Sequence, residues 1–434
     1  MVAESELRTV HTEGAAFQDD KEGSETLEAC RVSKDWDPPS SPDECPEGGL
    51  AAWATAFGAF LVQFCGFGYT DSFGVYQDFY TQHYLTNETV VCYIPCRWIG
   101  STSAFLIISL GLVSGLLYDR GYFYHLMIAG SFLQSFCLFM LSLSKPDQYY
   151  QIFLSQGLGL GIASGLMYIP SIAVISHHFR RRRTLVMTFV ATGSSLGAII
   201  HPIMLNNLLN GPLGFAHGVR ASAGLISSFL LTACLCMRTR LDPPATPVNY
   251  IVVSRTCIHD VPFILLIVGL ASSTHYSSFN FDSIKHDISV NFSFYSVVIL
   301  NGSNFIGRLT SGFIEAFTVS SISCGVLILG MIGMGSLASV VVLGVLYGYF
   351  AGLNIAMMAP LIATLTPDLS ELGARMGICV FILGFGGLIG TPISGALLTS
   401  SYTWWIPGLF SGVSRPSLLF FLQNSRRVKS NQPT

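Results

Sequence analysis

Apolar positions run almost without interruption from Leu50 to Leu422, and short polar breaks divide them into about twelve stretches. Phe105–Leu117 reads FLIISLGLVSGLL, and Val326–Phe350 reads VLILGMIGMGSLASVVVLGVLYGYF. A soluble domain cannot bury that much apolar surface. The surrounding medium is therefore lipid, and each stretch approaches the roughly 20 residues that a helix needs to cross a bilayer. The pattern predicts helices near 50–75, 98–118, 122–143, 149–176, 184–206 and 219–237. A second set is expected near 258–280, 293–315, 319–339, 341–365, 373–398 and 403–422. The seventh is interrupted by SSTHYSSFNFDS (272–283) and the ninth runs almost into the tenth, so mergers there would leave ten or eleven spans.

The two sets echo one another in order. Ser114-Gly-Leu-Leu-Tyr-Asp119 ends the second span and Ser311-Gly-Phe-Ile-Glu315 ends the eighth. Gly161 and Gly165 precede Pro170 in the fourth, as Gly348 and Gly352 precede Pro360 in the tenth. Gly193 and Gly197 precede Pro202 in the fifth, as Gly386 and Gly390 precede Pro392 in the eleventh. Any one echo is unremarkable where Gly and Pro are common. The ordered set indicates a duplicated six-helix unit, the parallel repeat of one transporter architecture.

Charge then orients the array and delimits its flanks. Only 11% of residues are charged, against about a quarter in soluble domains. Residues 1–49 hold 13 acidic and 4 basic residues with no apolar run, and are expected to be a disordered cytoplasmic tail. They lack the pattern of a cleavable signal peptide. One face receives Arg120, Arg180 to Arg183, Arg238, Arg240, Arg255, Arg375, Arg426, Arg427 and Lys429. The other receives Arg97, Lys145, Arg220 and Lys285. The basic face is therefore expected to be cytoplasmic, together with both termini. Sequons at Asn87 and Asn291 fall in the predicted outer loops and are expected to be glycosylated. The expected layout is a six-helix bundle over 50–237, a cytoplasmic linker over 238–257, a second bundle over 258–422 and a basic tail over 423–434.

Gly115-Leu-Leu-Tyr-Asp119-Arg120-Gly121, at the cytoplasmic end of the second span, resembles the signature of the major facilitator superfamily. A glycine one turn before an acid and a base admits a neighbouring helix, and the charges then lock or release the halves. Gly115, Asp119 and Arg120 are thus the candidate gate. The basic residues usual after the last glycine are here Tyr122 and Phe123. Further matches are Glu47-Gly-Gly-Leu-Ala-Ala-Trp53, Tyr69-Thr-Asp-Ser-Phe-Gly-Val75 and Trp98-Ile-Gly100. Phe179-Arg-Arg-Arg-Arg183, Thr192-Gly-Ser-Ser-Leu-Gly197 and Asn304-Phe-Ile-Gly-Arg308 complete the set. From residue 46 to about 423 the chain resembles the monocarboxylate-porter family in its fungal branch. The resemblance implies the major facilitator fold, an all-α membrane protein with about twelve transmembrane helices in two pseudo-symmetric six-helix bundles.

Arg308 is the leading candidate for solute binding. Arginine inside a span costs about 2.5–3.5 kcal/mol on insertion scales, so it faces a cavity or a partner, and its fork can bind a carboxylate bidentately. A structural ion pair or a snorkelling side chain is the competing reading. The resemblance implies an anion site at this arginine, but the aspartate that animal members carry one turn earlier is here Asn304. The lysine they carry in the first span aligns with Asp71, a reversal of charge. Asp71 has three readings: compensating Arg308 across the cavity, coupling protons, or sitting at the outer interface. His201, before Pro202, is either a proton relay or a hydrogen-bonded structural histidine. Tyr168, Asn354 and Gln63 line the path or hold helices together.

No phosphate-binding loop, zinc-protease motif or nucleophile elbow is present in the sequence. No enzyme activity, cofactor, metal or nucleic-acid partner is expected. The expected function is secondary or facilitative transport of a small organic solute across the plasma membrane, the solute being a monocarboxylate-like anion or a secondary metabolite. Protons are a candidate coupling ion. A sensor on a transporter scaffold and an inactive copy are the rival readings.

Overall fold

The computed structural model describes residues 48–80, 83, 93–240, 250–260, 263–264, 290–313, 317–330, 337–366 and 368–397. Nearly all of the acidic tail, Asn87, most of the predicted seventh span, the twelfth span and the basic tail lie outside the described residues.

Among the described residues every regular element is a helix. In lipid, helices satisfy their own backbone, and apolar runs of this length have no other way across. The first six are α1 (Leu50–Phe79), α2 (Trp98–Asp119), α3 (Phe123–Leu141), α4 (Tyr149–His177), α5 (Arg183–Leu209) and α6 (Gly214–Cys236). All six are long and apolar enough to cross a membrane. They are followed by α7 (Tyr250–His259), α8 (Val290–Ser311), α9 (Phe317–Gly330), α10 (Leu337–Leu365) and α11 (Leu372–Leu397). Two differences from the sequence expectation stand out. The linker contains the helix α7, whose Val253 and Cys257 are buried. Asn291 is the second residue of α8 rather than a loop residue, because that helix starts earlier than its apolar run suggests.

The glycine echoes mark equivalent contacts in the two sets. A Cβ at Gly161 would lie 3.1 Å from the Ser103 backbone, and one at Gly165 3.0 Å from the Leu106 carbonyl, so α4 lies directly on α2. At Gly348 and Gly352 it would lie 2.5 Å from the Leu300 carbonyl and 2.3 Å from that of Asn304, so α10 lies on α8 in the same way. Small residues permit this approach where apolar lipid offers no hydrophobic drive between helices. Between the sets, α2 packs on α11 and α5 on α8. Exchanging the first six spans with the second six turns each of these pairs into the other, as a duplicated unit requires.

Within the first set, α5 lies against α1, where a Cβ at Gly193 would stand 2.3 Å from the Phe60 carbonyl oxygen. Gly193→Val is expected to cost about 1–3 kcal/mol by overpacking. The measurement is the thermal midpoint of the detergent-solubilised protein, which should fall; an unchanged midpoint contradicts the contact.

Candidate functional site

The site begins with the direction of one side chain. Arg308 lies in the last turn of α8, which ends at Ser311. Side chains on a helix lean toward its N-terminus, so the guanidinium reaches back along α8 to the level of Asn304. Its Nε donates to Asn304 Oδ1 at 2.7 Å. Its Nη1 donates to the Ala191 carbonyl at 2.8 Å and to Ser194 Oγ, both on α5. Ser195 Oγ donates to the same Asn304 Oδ1 at 2.8 Å. One amide oxygen thus holds both the arginine and the opposing helix. Asn304 is a neutral acceptor, so it orients Arg308 without cancelling its charge.

The candidate carboxylate lies on another helix. Asp71 sits where the helical course of α1 is interrupted, between Thr70 and Phe73, and it is exposed. No ion pair within 4.0 Å joins Asp71 to Arg308. The Tyr168 ring lies 4.7 Å from that of Phe67. Both rings line a cleft with Val62, Gln63, Gly66, Ser164 and Met167. Gln63 Nε2 donates to Ser171 Oγ at 2.9 Å, which ties α1 to α4 beside it.

Two other candidates lie elsewhere. His201 is fully buried, with Nε2 3.2 Å from the Phe64 carbonyl and its ring against Phe64 and Tyr69. The structure thus brings it against α1 rather than into the Arg308 cluster. Asn354 is buried and donates to Ser321 Oγ on α9, joining two helices of the second set. None of the Arg308 hydrogen bonds reaches it.

The gate motif meets the start of α11. Asp119 is buried, and its Oδ1 accepts from Gly373 N–H at 2.9 Å while its Oδ2 accepts from Ala374 N–H at 2.6 Å. The first N–H groups of a helix lack partners within it and carry partial positive charge, so a carboxylate is favoured there. Gly115 lies so close to α11 that a Cβ would stand 2.2 Å from the Gly373 carbonyl oxygen. Arg120 is exposed beside this contact. The helix α7 closes over the same end. Tyr250 Oη donates to the Leu112 carbonyl of α2 at 3.2 Å, and burial pushes its phenol up, so it remains a donor. Arg375 of α11 is buried, 3.5 Å from both Asp260 and Glu371. The matching contact of α8 on α5, Gly312 against Leu185 and Thr188, and the bond from Arg183 to the Ala363 carbonyl at 3.0 Å bring the sets together. Asp119→Asn is expected to weaken the α2–α11 contact by about 1–2 kcal/mol. The check is a few-fold faster maleimide labelling of the buried Cys257; an unchanged rate contradicts it.

Sequence reasoning passed over Ala191, Ser194, Ser195 and Tyr250, and used Arg375 only to orient the chain. Ser194 and Ser195 fall inside a segment that served only the family resemblance, and a carbonyl acceptor such as that of Ala191 carries no sequence signal. Among the described residues no cluster of His, Cys, Asp or Glu has the make-up of a metal site.

Comparison with characterised proteins places this architecture. No family model matches the sequence. The chain is 33% identical over 395 residues to MFS transporter asaE of Aspergillus flavus, covering 87% of each chain. The chain belongs to the major facilitator superfamily of transporters. It is 35% identical over 378 residues to the aspyridones efflux protein apdF of Emericella nidulans, covering 83% of this chain and 75% of that one. It is 32% identical over 390 residues to the fujikurins efflux protein of Gibberella fujikuroi, covering 85% and 81%. Among solved structures it superposes on the major facilitator FucP in the outward conformation with a TM-score of 0.65 at 14% identity. That match covers 85% of this chain and 98% of FucP. The protein is therefore a multi-pass membrane transporter of the major facilitator fold.

Proposed function

We propose that this transporter moves a secondary metabolite out of a fungal cell across the plasma membrane, by alternating access about the Arg308 site. The observation that carries this reading is the set of bonds from Arg308 on α8 to Ala191 and Ser194 on α5. They make the site a junction between the two sets of helices. Rocking one set against the other must remake that junction, so a solute bound there is coupled to the motion. The relatives named as efflux proteins for aspyridones and fujikurins support export as the direction. The motifs shared with the monocarboxylate-porter family support a place near its fungal branch.

The basic end is the cytoplasmic one in this reading, with both termini there and with Asn87 and Asn291 toward the outside. The first six-helix bundle spans 50–237 and the second 258–422, joined by the linker 238–257. The sets meet through Asp119, Gly115 and Gly373 at the basic end, whereas Asp71 is exposed. The conformation is accordingly outward-facing, with Gly115, Asp119 and Arg120 as the inner gate. Asp71 and His201 are the candidates for proton coupling.

The test is a solute screen in proteoliposomes with and without a pH gradient. Saturable flux of an organic solute is expected, and its response to the gradient decides the coupling. Absence of flux in every condition from a correctly folded protein would favour a sensor.

A further inference from the structure

The helix α7 lies in the connection between the two sets and is fastened to both. Tyr250, Val253 and Cys257, at positions i, i+3 and i+7, share one face of it, and the last two are buried. Toward the first set, Tyr250 Oη donates to the Leu112 carbonyl of α2 at 3.2 Å and lies 3.4 Å from where a Cβ on Gly115 would stand. Toward the second set, α7 packs on α11, and Asp260, directly after α7, places Oδ2 3.5 Å from Nη1 of Arg375. Glu371 stands 3.5 Å from Nε of the same guanidinium, and the Phe263 ring lies 5.9 Å from its Cζ.

The two fastenings are unequal. Leu112 lies inside α2, where the helical pattern already gives its carbonyl the N–H of Leu116, so the Tyr250 bond is an additional one. Releasing it costs little, because the phenol can turn to water and the carbonyl keeps its helical partner. Arg375 is 2% exposed, and its Nε makes no hydrogen bond among the described residues. Drawing Asp260 away would leave that guanidinium with Glu371 alone, and stripping a partner from a buried charge costs far more. The helices α2 and α11 meet through Gly115, Gly373 and Asp119, so parting them must break one of the two fastenings. The weaker one yields.

We propose, resting on the alternating-access reading above, that α7 is a clasp that travels with the second set. Asp260 and Arg375 are its permanent anchor. Tyr250 is the tip that closes on the Leu112 carbonyl beside Gly115 and lets go when the Asp119 end opens. All three are positioning residues for the gate and act without touching solute. The segment between the sets is thus a working part of the gate, engaged in one conformation and withdrawn in the other.

The test reads distances by double electron–electron resonance on the full-length protein in nanodiscs, with nitroxides on encoded residues so that the native cysteines stay intact. One pair joins exposed Thr256 of α7 to exposed Thr364 of α10 in the second set. The other joins Thr256 to exposed His125 of α3 in the first set. Tyr250→Phe is expected to raise the population of a longer Thr256–His125 distance about fivefold while leaving Thr256–Thr364 unmoved. Asp260→Asn should broaden and lengthen Thr256–Thr364. Asp260→Arg combined with Arg375→Asp rebuilds the pair with its charges exchanged and should restore that distance, which guards against a folding defect in Asp260→Asn. The proposal is overturned if Tyr250→Phe moves Thr256–Thr364 or leaves Thr256–His125 as it was. It is equally overturned if Asp260→Asn leaves Thr256–Thr364 unmoved, or if the exchanged pair fails to restore it. Solute flux in proteoliposomes is read separately. The expected distances without flux leave the clasp standing and remove only the transport reading, whereas flux with any contrary distance removes only the clasp.

Discussion

Arg308→Ala is expected to lower transport by about a hundredfold or more while leaving the protein at the membrane in normal amount. Three hydrogen bonds depart with the side chain, two of them spanning α8 and α5. The positive charge departs with it. Arg308→Lys should recover little. An ammonium is a compact point charge without the planar fork, and it cannot address Asn304, Ala191 and Ser194 at once while leaving an edge for solute. The measurement is initial flux of an accepted solute in proteoliposomes, normalised to folded protein. Flux near that of the unaltered protein in Arg308→Ala would remove this residue from the solute site.

The second large effect comes from the least forgiving contact between the two sets. Gly115→Leu places a branched side chain where even a Cβ stands 2.2 Å from the Gly373 carbonyl oxygen. That atom belongs to the backbone at the start of α11, which is held by Asp119, so it cannot yield as a flexible side chain does. Overpacking of this kind costs about 1–3 kcal/mol or more. Because the clash lies between sets that rock against each other in the proposed mechanism, the strain is expected to be relieved by opening that end. The expected outcome is a carrier trapped open at the Asp119 end, with transport almost abolished. Cys257 reports the opening. It is 3% exposed in α7, and burial pushes its thiol up, so it reacts slowly while the end is sealed. Peptide mapping after brief maleimide treatment should show at least about tenfold faster labelling of Cys257 in the variant. Normal labelling together with normal flux would exclude the α2–α11 contact as a gate.

Much of the architecture was legible because lipid makes it so. A run such as Leu337–Leu365 has one way to satisfy its backbone in a bilayer, so its apolar length alone announces a helix. The glycine echoes were legible for a related reason. Gly161 and Gly348 recur in register because each set must bring its helices to backbone contact in the same place. The helix α7 was not legible, since Pro243, Pro244 and Pro247 nearby read as a linker and its stability comes from docking Val253 and Cys257. Arg308 was found by its charge, but its place in the last turn of α8 was not legible, because apolarity continues past Ser311 where the helix ends. Asn354 and His201 drew notice as polar residues in lipid. Polarity does not say which neighbour a side chain meets, and these meet Ser321 and the Phe64 carbonyl.

By itself the sequence determined that this chain spans a membrane as two related sets of helices, and it singled out Arg308 and the Gly115–Arg120 motif as exceptional. Those properties follow from residue type and order along one helix at a time. The tertiary structure decided which residues meet: Arg308 on Ala191 and Ser194, Ser195 on Asn304, Asp119 on the first N–H groups of α11. These pairings join residues more than a hundred positions apart, and no local periodicity encodes them. They arise when close-packed helices bring their small-residue faces together and set polar groups of different helices within reach of one another.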